Sequence, residues 1–129
     1  FAELGGAYAG DAFANALFVN PGFENHWLKV ALVGRKSNRS GIGARIKLEI
    51  EEAGQRRSIY KWVNSGGSFG ANPLRKEIGL GKADRILTLE VFWPTTQLTQ
   101  TFKDIELDSC IRIDEQAAEP EYFTPGESP

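Results

Sequence analysis

Ile42-Gly43-Ala44-Arg45-Ile46-Lys47-Leu48-Glu49-Ile50-Glu51 decides the fold. Ile42, Ala44, Ile46, Leu48 and Ile50 alternate with Gly43, Arg45, Lys47, Glu49 and Glu51, so one face is apolar and the other largely charged. Successive side chains of a strand point to opposite faces, and a period of two with charge on one side predicts a half-buried antiparallel strand. Upstream, His26 to Val33 sets Leu28, Val30 and Leu32 against Trp27, Lys29, Ala31 and Val33. Downstream, Ala53-Gly54-Gln55 predicts a hairpin turn, and Arg56 to Val63 returns with Tyr60 and Trp62 on one side and Ile59, Lys61 and Val63 on the other. Lys76 to Leu80, Ile86 to Trp93, Gln97 to Phe102 and Leu107 to Asp114 continue the series, and Pro94 stops its strand because it brings no N–H to a ladder. Ala16-Leu17-Phe18-Val19 would add an edge strand. Strands at this spacing, with no amphipathic helix between them, predict an all-β fold: an antiparallel β-sandwich, or alternatively a partly open β-barrel.

A chain of 129 residues is long enough to bury one core without disulfides or metal, and a single cysteine, Cys110, forms no internal bridge and reads as a partly buried free thiol. The 15 basic and 17 acidic residues interleave and leave a net charge of -2, which argues against a dedicated nucleic-acid binder. No apolar run approaches the roughly 18 residues of a membrane-spanning helix, so no membrane insertion is expected. The chain opens on Phe1 and has no Met, the mark expected of a piece of a longer protein with any signal peptide upstream. Residues 1–24, rich in Gly and Ala, read as an N-terminal edge strand or a link from a preceding repeat, and residues 25–114 as the β domain. Residues 115–129, dominated by Glu, Ala, Pro and Ser, read as a tail or linker, mobile unless docked.

Two Gly/Ser/Asn-rich connections stand between the strands: Lys36-Ser37-Asn38-Arg39-Ser40-Gly41-Ile42-Gly43-Ala44-Arg45, which runs straight into the alternating strand, and Asn64-Ser65-Gly66-Gly67-Ser68-Phe69-Gly70-Ala71-Asn72-Pro73-Leu74. Loops on a rigid scaffold are where binding residues concentrate, which makes Lys36, Ser37, Asn38, Arg39, Ser65, Ser68 and Asn72 candidate ligand-binding residues. Their alternative role is to hydrogen-bond their own backbone. Trp93 shares its phase with Leu87, Leu89 and Val91 and belongs to the core. Trp27, Tyr60 and Trp62 either pack beneath a covering layer, the ordinary fate of such rings, or offer flat faces on which sugar rings stack.

Gly66-Gly67-Ser68-Phe69-Gly70 matches G-x-S-x-G, but a nucleophile elbow needs a strand-turn-helix context, and Pro73 follows with no helix pattern. His26, the only histidine, lacks the companions of a zinc site and reads as a hydrogen-bonding residue at a strand start. Asp104, Glu106 and Asp108 would line one face of an extended backbone and attract a cation, yet the calcium-loop signature is missing and a solvated face is the plainer reading. Asn38-Arg39-Ser40 is a glycosylation sequon, meaningful only in a eukaryotic secretory pathway. The expectation is therefore a domain without catalytic residues, metal or cofactor.

Asn25-His26-Trp27-Leu28-Lys29-Val30, Leu32-Val33-Gly34, Lys36-Ser37-Asn38-Arg39, Ile42-Gly43-Ala44-Arg45, Ser65-Gly66-Gly67-Ser68-Phe69, Leu80-Gly81 and Val91-Phe92-Trp93-Pro94 follow one another as in the ASPIC and UnbV domain, which the chain resembles from about Asn15 to Ile113. The resemblance implies an extracellular or periplasmic β domain, secreted or at the cell surface, attached behind FG-GAP (VCBS-type) repeats that form a β-propeller, as in the cartilage acidic protein. It implies no catalytic residues. The partner it implies is the upstream propeller of the same chain, with a cell-surface protein or a glycan as further candidates. Three functions follow as expectations: a noncatalytic interaction module for adhesion or assembly, a carbohydrate-binding domain using exposed aromatics, or an accessory domain of a secreted enzyme.

Overall fold

The computed structural model describes residues 2–3, 16–19, 21–66, 71 and 73–124. Its strands are β1 (Ala2–Glu3), β2 (Ala16–Leu17), β3 (His26–Val33), β4 (Arg45–Glu52), β5 (Gln55–Trp62), β6 (Lys76–Gly81), β7 (Arg85–Trp93), β8 (Leu98–Phe102), β9 (Ser109–Asp114) and β10 (Glu121–Tyr122). Two four-stranded sheets, ordered β10-β9-β3-β6 and β5-β4-β7-β8, face each other as a β-sandwich, and β1 pairs with β2 in a separate ribbon. All neighbours are antiparallel except β3 and β9, which run parallel from Leu28↔Ser109 to Val33↔Asp114. That pair departs from the purely antiparallel expectation. The chain commutes between layers, and β9 arrives beside β3 by crossing from the second sheet rather than by a hairpin.

The alternation that predicts β4 also builds the core. Ile46, Leu48 and Ile50 are fully buried and meet Leu28, Val30, Ile78, Leu80, Leu89, Val91, Trp93, Ile111 and Ile113 in one apolar cluster. The strand begins later than its pattern suggests: Gly41 and Gly43 hold φ of 64° and 94°, so the backbone is still turning at Ile42, which is 43% exposed. Left-handed φ suits glycine, which has no Cβ to clash. The predicted hairpin forms with Ala53 and Gly54 at positive φ, and Trp93 packs in the core with its indole N–H donating to Gln100 Oε1 at 2.7 Å.

The segment read as a tail is docked through residue 124. Glu115 is 3% exposed, and Gln100 donates from Nε2 to the carbonyls of Asp114 at 3.0 Å and Ala117 at 2.8 Å. β10 then pairs with β9, and the Phe123 N–H donates to the Cys110 carbonyl at 3.0 Å. Pro and Glu make the composition loop-like, but hydrogen bonds from two core-anchored residues decide where it lies. Leu48→Ala is expected to lower unfolding free energy by about 3 kcal/mol, and Ile42→Ala to change it by less than about 0.5 kcal/mol, in urea titrations followed by tryptophan fluorescence.

Candidate functional site

The connection after β3 is a closed device. Gly34 N–H donates to the Arg39 carbonyl at 3.0 Å and Gly41 N–H to the Asn38 carbonyl at 2.9 Å. Asn38 clasps Ile42, its Nδ2 donating to the Ile42 carbonyl at 2.7 Å and its Oδ1 accepting the Ile42 N–H at 2.8 Å. A Cβ at Gly34 would run into the Asn38 carbonyl, so only glycine fits there. So shaped, the loop aims three consecutive N–H groups at one point. Glu115 Oε2 accepts from Arg35, Lys36 and Ser37 at 2.6, 2.8 and 2.9 Å, and Oε1 accepts from Ser37 Oγ at 2.7 Å and Thr96 Oγ1 at 2.9 Å.

Successive backbone N–H groups in such a turn form an anion-binding concavity, and here the anion is internal. Burial alone would raise the Glu115 pKa, but the N–H groups of Ser37 and Arg35 and the hydroxyls of Ser37 and Thr96 outweigh it and pull the pKa from its ordinary 4.5 to about 2. Next to it, Asp114 is held below the usual carboxylate range, first by the Arg35 guanidinium, which donates from Nε at 2.7 Å and Nη2 at 2.6 Å, and then by the Gln116 N–H.

Of the loop residues singled out in the sequence, Ser37 is buried against Glu115, while Asn38 is exposed and hydrogen-bonds Ile42 of its own loop. Lys36, Arg39 and Ser65 are exposed; Ser68 and Asn72 lie outside the described residues. The two loops do meet. Gly43 N–H donates to the Val63 carbonyl at 2.8 Å and Val63 N–H to the Ala44 carbonyl at 2.9 Å, which brings both connections to one end of the sandwich. There Arg39 and Ser40 from the first and Leu74 and Arg75 from the second border a groove of about 490 Å³ floored by Ala31, Leu32 and Val33. Sequence reasoning missed Arg35, Arg75, Arg112 and Glu115 at this end. Glu115 carried a signal, since it continues the inward phase of Ile111 and Ile113 and so places a carboxylate where the period calls for a core residue.

The three aromatic candidates separate. Trp27 is half-buried on the outer face of the first sheet, with Lys29 Nζ 5.3 Å from its ring centroid. Tyr60 and Trp62 lie on β5, an edge strand of the second sheet, and are 48% and 57% exposed. Register sets Trp62 beside Arg45 and Arg45 beside Phe92, with the guanidinium 5.6 Å from the Phe92 ring centroid. Arg45 pairs with no carboxylate among the described residues. The next row carries Tyr60 beside Lys47, which is bound at 2.9 Å to Glu49 and at 3.5 Å to Glu90.

His26 Nδ1 lies 2.7 Å from Asp108 Oδ2, and Asp108 Oδ1 accepts the Trp27 N–H at 3.0 Å, the strand-start role its position suggests. Asp104 and Asp108 both hold φ of 55°, so the backbone between them is not the extended one on which three carboxylates would share a face. Among the described residues no group of three His, Cys, Asp or Glu side chains is placed to hold a metal ion.

A scan against protein-family models matches residues 34–120 to the family described as ASPIC and UnbV. Comparisons with curated proteins and with solved structures return no match. The matched span opens on Gly34 and runs past Glu115, so both halves of the buried carboxylate device fall inside it.

A carboxylate whose folded pKa is depressed stabilises the fold fully above its unfolded pKa and loses that contribution as pH falls through the folded value. Glu115→Gln is therefore expected to lower the Tm at pH 7 by on the order of 10 °C. The gap between wild type and variant should narrow from about pH 5 downward and be mostly gone near pH 2 in calorimetric scans.

Proposed function

The chain belongs to the ASPIC and UnbV family, and from that membership we propose that it is a noncatalytic interaction module, secreted or at the cell surface, carried behind an FG-GAP-type β-propeller. The observation that supports this reading best is the row Trp62, Arg45, Phe92 on the outer face of the second sheet. An indole 57% exposed, a guanidinium with no carboxylate partner among the described residues and a second ring in the same row form a contiguous patch. Trp, Tyr and Arg are the residues that dominate binding energy at interfaces, because each covers a large area while keeping a polar group for a partner. The adjoining propeller is the occupant this reading assigns, docking on the flat face and leaving the loop end free.

A second reading, carbohydrate binding, is favoured by one observation. Tyr60 and Trp62 stand two residues apart on the same side of β5, about 7 Å along the strand, with flat faces available for stacking. In either case the aromatic face is the working surface.

Trp62→Ala should leave the Tm within about 2 °C of wild type, since the ring is largely in water. In calorimetric titrations it should weaken association with the separately produced propeller by about 10- to 100-fold. Loss of glycan-array binding with propeller association intact would select the carbohydrate reading, and a variant unchanged in both would contradict both readings.

A further inference from the structure

The groove at the loop end is a break in the first sheet. The Val33 carbonyl accepts the Glu115 N–H at 2.9 Å and the Trp27 carbonyl accepts the Asp108 N–H at 2.8 Å, so odd-numbered residues of β3 turn their backbone groups toward β9. Even-numbered residues turn toward β6. That ladder ends at Val30 with Lys76, and Leu74 and Arg75 bend away instead of forming the next rung. Leu32 N–H and C=O therefore face the groove, beside an apolar floor of Ala31 and Val33.

Four guanidinium groups, Arg35, Arg39, Arg75 and Arg112, line the groove against three carboxylates, Asp114, Glu119 and Glu121. Arg35 is committed to Asp114 at 2.6 Å. Arg112 reaches Glu121 at 3.1 Å and Arg75 reaches Glu77 at 3.4 Å, but those carboxylates are 67% and 59% exposed, and pairs so open to water contribute little. Arg39 has no acidic partner among the described residues, and the Nε of Arg75 and of Arg112 are both buried without an acceptor.

We propose that this groove docks an extended acidic peptide segment of a partner protein, its backbone adding a rung at Leu32 and its Asp or Glu side chains pairing with Arg39, Arg75 and Arg112. A free sheet edge reads main chain, which a phosphate or a sugar lacks, and a planar guanidinium takes a carboxylate through two parallel bonds. This site lies on the first sheet and does not depend on the aromatic face of the second.

Fluorescence anisotropy with a labelled peptide alternating Glu with Val, at low salt, tests it against a Lys–Val peptide of the same length. The acidic peptide should bind and the basic one should not. Arg39→Glu combined with Arg75→Glu should weaken binding by about tenfold or more at unchanged Tm, with Arg39→Glu alone as the milder variant. N-methylation of the central peptide amides should weaken it as well. Absence of acidic-peptide binding, or binding indifferent to both arginine variants, overturns the proposal. Indifference to N-methylation reduces the site to an anion patch and overturns it too. Self-association of the protein lost in the same variants would hand the groove to a second copy and overturn the peptide assignment.

Discussion

A carboxylate placed inside a β-sandwich must have its charge fully met by hydrogen bonds, and Glu115 meets that requirement with donors from the β3–β4 loop and the β7–β8 turn. The cost of burying an ion is severe unless every lone pair is occupied, so the interaction is all-or-none in character. It fixes three pieces of chain that would otherwise be independent. The loop after β3 takes its curl, the turn carrying Thr96 is held to it, and the chain leaving β9 is pinned where composition alone would leave it free. Gln100 adds a second tie, linking the buried Trp93 indole to the carbonyls of Asp114 and Ala117.

The position of the surfaces follows from that device. With Ser37 buried against Glu115 and Asn38 hydrogen-bonded to Ile42, the groove at the loop end is lined by Arg39, Arg75 and Arg112 together with Glu119 and Glu121. With β10 drawn onto β9, the first sheet is extended on that side, while the β5 edge of the second sheet keeps its aromatic face in solvent. The two sheets thus present different chemistry: a charged break in one, a flat row of rings in the other.

Much of the fold was legible because period-two alternation is a direct projection of sheet geometry onto sequence. Ile46, Leu48 and Ile50 show their burial in the pattern itself, as do Leu28, Val30 and Leu32. The parallel pairing of β3 with β9 was not legible, since nothing in either strand's alternation records its neighbour. The candidate site was read only in part. Loop composition pointed to one end of the molecule, but it did not separate side chains that shape a turn, such as Asn38, from those that stand clear of it, such as Arg39. Exposure of Trp62 and Tyr60 depends on whether a third layer covers β5, a tertiary fact with no local signature.

Direct titration of the Glu115 side-chain carbonyl by carbon-13 NMR reaches the central claim without passing through stability. A midpoint near pH 2, with the amide resonances of Arg35, Lys36 and Ser37 shifting in step, is the predicted result. A midpoint at the ordinary 4.5, with those amides unmoved, would contradict the account.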